Sequence, residues 1–250
     1  MAAPGAAPVK IVELGDAALT LEFGNGIDPA LHARVMAARD ALPRLPGITD
    51  VVPTYRSLTV HFDPRQLAPE DLSGHLLAAA DAPQKSALAG CNAPNGVRRW
   101  RIPVCYGGDL GPDLAAVATA TGRAPEEVIA ALCGQPWRVF LIGFLPGFPY
   151  MGELPEWLRL PRLGTPRTAV PERSVAIAGA QCAIYPWQSP GGWHLLGRTP
   201  ARLFDASDNE QPALLAPGDA VSFVPIDSSE YVRLELAIAC GELSSRNFSV

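Results

Sequence analysis

The chain has 250 residues, enough for one large domain or two small ones. Apolar residues make up 48% and charged residues 18%, a balance that supplies a buried core and excludes intrinsic disorder. The formal charge of −5 comes without a basic block, which argues against nucleic acid and anionic membrane as partners.

The first 82 residues read as two copies of a strand-strand-helix unit. Val9–Leu14 and Ala18–Phe23 are short β-type runs broken at Gly15-Asp16. A helix is expected from Asp28-Pro29, a capping residue followed by proline, with Leu31, Val35, Ala38 and Leu42 at helical spacing. The second copy has strands at Ile48–Tyr55 and Ser57–Phe62, then a helix from Pro69 to about Ala80 carrying Leu72, Leu76 and Leu77. Two such units predict a small α+β sandwich with helices over one face of a sheet. Residues 83–97 lose all periodicity and gain Pro, Gly, Asn and Ser, which marks a linker between domains at 1–82 and 98–250.

The second half opens with a strand at Arg98–Tyr106. Helical stretches follow at Asp113–Ala120, stopped by Thr121-Gly122, and at Pro125–Leu132, with Glu126 and Glu127 in its first turn. Trp137–Phe144 reads as a buried strand. From Gly143 to Thr199, eight glycines and eight prolines punctuate short apolar runs at Val175–Ala178, Ala183–Tyr185 and Trp193–Leu196. That pattern predicts a β-barrel or sandwich, with Ala220–Ile226 and Tyr231–Ile238 as closing strands.

Several chemistries fall away. The five cysteines are odd in number and form no CxxC pair, so free thiols of a cytoplasmic protein are expected rather than disulfides or structural zinc. The first residues lack a signal-peptide pattern, and no apolar run approaches ~18 residues. Walker, GxGxxG and HExxH motifs are absent, and four dispersed histidines give no metal-ligand spacing. Ser189 and His194 come without a GxSxG elbow, which weakens a serine-hydrolase reading. Cys182, inside an apolar run, reads as a buried structural thiol.

What remains is the stretch 143–199, where Arg159, Arg162, Arg167, Arg173 and Arg198 outnumber Glu153, Glu156 and Glu172. Arginine forks suit carboxylate or phosphate, although each could equally form a surface ion pair. In GFLPGFPYMG, Phe144, Phe148 and Tyr150 could wall a pocket or plug the end of a barrel. Arg167 stands in an extended stretch between Pro166 and Pro171. In YPWQSPGGWHLLGRT, Gly191-Gly192 could offer backbone N–H groups to an anion or form a hairpin turn. The residues alone name no reaction.

The segments PVCYGGDLGPDL (103–114), GFLPGFPYMG (143–152), PRLGTPRTAVPERSVAIAG (161–179), IYPWQSPGGWHLLGRTP (184–200) and LLAPGDAVSFVPI (214–226) closely resemble the 5-oxoprolinase B-subunit family. That family is also described as allophanate hydrolase subunit 1 and as a sporulation-kinase inhibitor family. The resemblance implies an N-terminal α+β domain followed by a cyclophilin-like β-barrel. It also implies partner subunits C and A, with which 5-oxoproline is hydrolysed to glutamate at the expense of ATP, bound on this or another subunit. On this reading the chain is a hydrolase subunit, inactive alone, acting on a small anionic cyclic amide. The implied site comprises Phe144, Phe148, Tyr150, Gln181, Tyr185, Ser189, Gly191, Gly192 and Trp193, with Arg167 or Arg198 on the substrate carboxylate or a phosphorylated intermediate and His194 moving a proton. A histidine-kinase inhibitor and a carboxyltransferase-type subunit are the alternative readings.

Overall fold

The computed structural model describes residues 9–83 and 97–250, which form two compact units on either side of the 84–96 stretch. The expected linker thus lies almost wholly outside the described residues.

The first unit runs β1 (Lys10–Glu13), β2 (Ala18–Glu22), α1 (Pro29–Ala41), β3 (Ile48–Pro53), β4 (Ser57–Phe62) and α2 (Pro69–Ala80). Its strands form one antiparallel sheet in the order β1-β2-β4-β3. Alternation sends Leu19, Leu21, Leu58, Val60 and Phe62 to one face, where Val35 and Ala38 of α1 and Leu72, Leu76 and Ala79 of α2 cover them. α1 starts where the sequence predicts, with the Asp28 carboxylate accepting from the Ala30 N–H at 2.7 Å and Pro29 in the first turn.

The second unit runs β5 (Arg99–Tyr106), α3 (Leu114–Thr121), α4 (Pro125–Cys133), β6 (Trp137–Ile142), β7 (Pro149–Gly152), β8 (Arg167–Val170), β9 (Ser174–Ala178), β10 (Gln181–Ile184), β11 (Ser189–Gly191), β12 (His194–Arg198), β13 (Ala220–Ile226) and α5 (Ser228–Ala239). Seven strands close a barrel in the order β10-β7-β6-β13-β5-β12-β9, with β9 pairing back onto β10. β13 runs parallel to β5, and β8 and β11 form a separate two-stranded ribbon. Ile102, Val104, Trp137, Val139, Met151, Val175, Ile177, Cys182 and Phe223 belong to the main core, which α3 and α4 extend with Leu114, Val117, Val128 and Leu132. Cys182 is fully buried there, and burial pushes its thiol pKa up, as befits an inert core residue.

One buried carboxylate ties the barrel together. Asp219 accepts from the Arg98 fork at 3.1 and 2.8 Å, from the Trp100 indole at 3.0 Å and from the Ala216 N–H at 2.9 Å. Among the described residues, no helix is long and apolar enough to cross a membrane.

Two expected elements differ. Tyr231–Ile238 is not a closing strand but the body of α5. The Asp227 carboxylate caps it through the Glu230 N–H at 2.8 Å, and Tyr231, Leu234 and Ile238 point inward at helical spacing. The exposed Val232 and Leu236 disguised that spacing as a continuous apolar run. β6 ends at Ile142 rather than at Phe144, because Phe144 has φ = 68°, a left-handed backbone that no strand accommodates.

Candidate aromatic and arginine site

Along β9 the side chains alternate between two cores. Val175 and Ile177 face the barrel interior, whereas Ala176 and Ala178 join a second cluster outside it. These alanines, with Ala183 of β10, leave space that aromatic rings fill. Phe148 is the centre, its ring 4.8 Å from Tyr150, 5.1 Å from Tyr185 and 6.1 Å from Trp193. Phe144 meets it edge-on at 5.5 Å yet stays 63% exposed. Phe144 and Phe148, from the loop between β6 and β7, thus join Tyr150, Tyr185 and Trp193 in a wall on the barrel's outer side.

The β8–β11 ribbon adds Val170 to this cluster and sets Arg167 opposite Gly191. Arg167 thus belongs to a strand rather than a stiffened loop. Neither Gly191 nor Gly192 has a left-handed backbone, so the pair forms no glycine-dependent hairpin turn. Gly191 lacks a side chain for a different reason: a Cβ there would collide with the Tyr185 hydroxyl. Burial pushes the Tyr185 phenol up to about 12 and also raises that of Tyr150, while the charge of Arg162 opposes both shifts.

Arg167 donates through Nη2 to Asp113 Oδ1 at 2.6 Å, and its Nη1 lies 3.5 Å from the Trp193 carbonyl. Arg162 lies over the Trp193 ring at 5.9 Å, a cation–π contact. Both cations flank the same aromatic wall, which suits a small planar anion.

The other expected residues divide. Ser189 is buried in the ribbon, with no hydrogen-bond partner for its Oγ among the described residues. Gln181 opens β10 opposite Ala178 and Gly152. His194 pairs across β12 with the inward-facing Ile177, and its Nε2 donates to the Pro161 carbonyl at 2.8 Å. Arg198 ends the same strand four residues on, about 13 Å away along the chain. There it acts electrostatically on Tyr231 of α5. The structure therefore sets Arg167 beside the aromatic wall, His194 against the Pro161 carbonyl and Arg198 opposite Ser174 of β9.

Asp113 and Arg162 escaped the sequence reading of the site. Asp113 stands only as the first residue of an expected helix, and nothing in its neighbourhood announces a partner 54 positions away. Arg162 was visible only as one charge among five. Separately, a cleft of about 500 Å³ lies between α5 and the 202–206 segment, lined by Arg173, Trp187, Arg202, Phe204 and Glu235. None of the expected site residues lines it.

Residues 9–215 match the family model for the carboxyltransferase domain, subdomains C and D. The chain is 37% identical over 228 residues to a Bacillus subtilis (strain 168) protein named as the B subunit of 5-oxoprolinase, covering 89% of this chain and 95% of that one. Among solved structures, TTHA0988 superposes with a TM-score of 0.73 at 38% identity, over 84% of this chain and 40% of that longer one. Kluyveromyces lactis urea carboxylase shares the fold, with a TM-score of 0.73 at 20% identity over 96% of this chain and 24% of that one.

Proposed function

The chain belongs to the 5-oxoprolinase B-subunit family and carries its carboxyltransferase C and D subdomains, and from that membership we propose that it serves as the B subunit of a multi-subunit, ATP-dependent 5-oxoprolinase. Together with subunits A and C it opens the lactam of 5-oxoproline to glutamate. Hydrolysis of a stable lactam runs uphill unless coupled, which is what ATP supplies. The sequence offers no Walker loop, so ATP is assigned to the assembled complex and this chain to the substrate side.

The observation that carries the reading is the aromatic wall with arginines at its edge. 5-Oxoproline is a small, flat ring bearing one carboxylate; the exposed Phe144 and half-buried Tyr150 offer it ring surface over the buried Phe148, Tyr185 and Trp193, and the arginines offer guanidinium. Arg167 is the residue proposed to hold that carboxylate. After the bonds to Asp113 and Trp193, three of its five N–H groups are left, enough for a two-point grip. With His194 engaged by Pro161 and Arg198 at the far end of β12, neither enters the proposal.

The test is ATP-dependent glutamate release from 5-oxoproline by the chain with its cognate subunits A and C. Activity is expected to vanish when this chain is omitted, and the chain alone is expected to be inactive. Arg167→Ala should raise KM for 5-oxoproline at least about tenfold while leaving the complex assembled. No turnover in the fully assembled mixture would overturn the assignment.

A further inference from the structure

We propose that Asp113 is a positioning residue for this site: its carboxylate fixes the Arg167 guanidinium at the edge of the aromatic wall and so sets the affinity for the anionic substrate. The inference rests on the role given to Arg167 above.

Asp113 is bound on three sides. Its main-chain N–H donates to the Leu195 carbonyl at 3.0 Å, while Oδ2 accepts from the Leu195 N–H at 2.7 Å. Oδ1 takes the Arg167 Nη2 donor at 2.6 Å. Leu195 belongs to the aromatic cluster, so one carboxylate links the wall, the barrel strand β12 and the arginine on the ribbon. The segment before Asp113 is clamped as well. The Gly107 N–H donates to the Leu196 carbonyl at 3.0 Å, and a Cβ at Gly111 would run into that same carbonyl.

A carboxylate at the start of a helix would ordinarily cap the first N–H groups. At Asp113 it makes no capping bond to α3 and turns instead towards β8 and β12. The Asp113 side chain is only 14% exposed and that of Arg167 30%, so water screens this pair less than an open surface bridge. A free arginine samples many rotamers; one held through Nη2 keeps its remaining N–H groups aimed in one direction. Fixing the fork before the substrate arrives favours binding, which appears in KM rather than in kcat.

Asp113→Asn separates the two tasks of the side chain. The amide oxygen still accepts from the Leu195 N–H, while the charge that holds Arg167 is removed. In the assembled complex, Asp113→Asn should raise KM for 5-oxoproline about tenfold with kcat within about twofold. Placed on Arg167→Ala, it should add no further rise, because the residue it acts through is gone. An unchanged KM in Asp113→Asn, or the same factor on both backgrounds, would overturn the proposal. A normal KM in Arg167→Ala itself would sink the reading of Arg167, a result distinct from either. Should Asp113→Asn fail to assemble, Asp113→Glu retains the charge: a KM that stays within about threefold of wild type supports the ion pair, and a rise matching Arg167→Ala refutes it.

Discussion

A phenol enclosed by Phe148 and roofed by Gly191 resists losing its proton, and Tyr185 illustrates the consequence. Its native pKa lies near 12, with burial as the main cause, against about 10 for an open tyrosine. The unfolded chain therefore ionises first as pH rises. The stability tied to this proton is complete below pH ~10 and is lost progressively towards ~12. Tyr185→Phe should flatten that loss, so that alkaline unfolding followed by tryptophan fluorescence shifts to higher pH; an unshifted midpoint would show that Tyr185 ionises freely. At working pH the residue is a neutral donor, not a base. Arg162 carries the other prediction at this scale. Held over Trp193 but exposed, it exerts a field that salt screens. Arg162→Ala should raise KM for 5-oxoproline about threefold at low ionic strength and less at high salt. Equal KM values at low salt would exclude it from the site.

At the scale of elements, Asp219 shows how one side chain between β13 and its preceding turn orders several others. Replacing it with alanine leaves the Arg98 fork, the Trp100 indole and the Ala216 N–H without their acceptor. Asp219→Ala should cost about 3–5 kcal/mol, read as a lower denaturation midpoint; a loss under about 1 kcal/mol would mean that water replaces the carboxylate. The same scale explains what the sequence discloses. α1, α2, β4 and β13 were legible because each carries its own period or cap: Asp28-Pro29 for α1, the alternation Leu58, Val60, Phe62 for β4. α5 was not, because Val232 and Leu236 fill its exposed face with residues that a strand would also use. Of the site, the aromatic residues and Arg167 could be read from composition and resemblance. The pairing of Arg167 with Asp113 could not, since it is made by the pairing of β8 with β11, which places Arg167, and by the bonds that hold Asp113 against Leu195 of β12, neither of which leaves a local trace.

At the scale of the whole molecule, the two units contain separate cores. The cluster beneath α1 and α2 shares no residue with the barrel clusters. Residues with a closed core of their own can unfold as a separate cooperative step. The chain supplies its own reporter for this. All five tryptophans, at 100, 137, 157, 187 and 193, lie in the barrel unit, and none in the first. Tryptophan fluorescence therefore follows the barrel alone, while far-ultraviolet circular dichroism follows both units. In urea, the fluorescence midpoint of a 97–250 fragment should match that of the full chain within about 0.2 M, with the same slope, because the slope reports the surface exposed by the one unit observed. The circular dichroism curve of the full chain should depart from its fluorescence curve wherever the two stabilities differ. A fluorescence midpoint that falls in the fragment would mean that residues 1–96 stabilise the barrel, and the 5-oxoprolinase site would then have to be studied only in the intact chain.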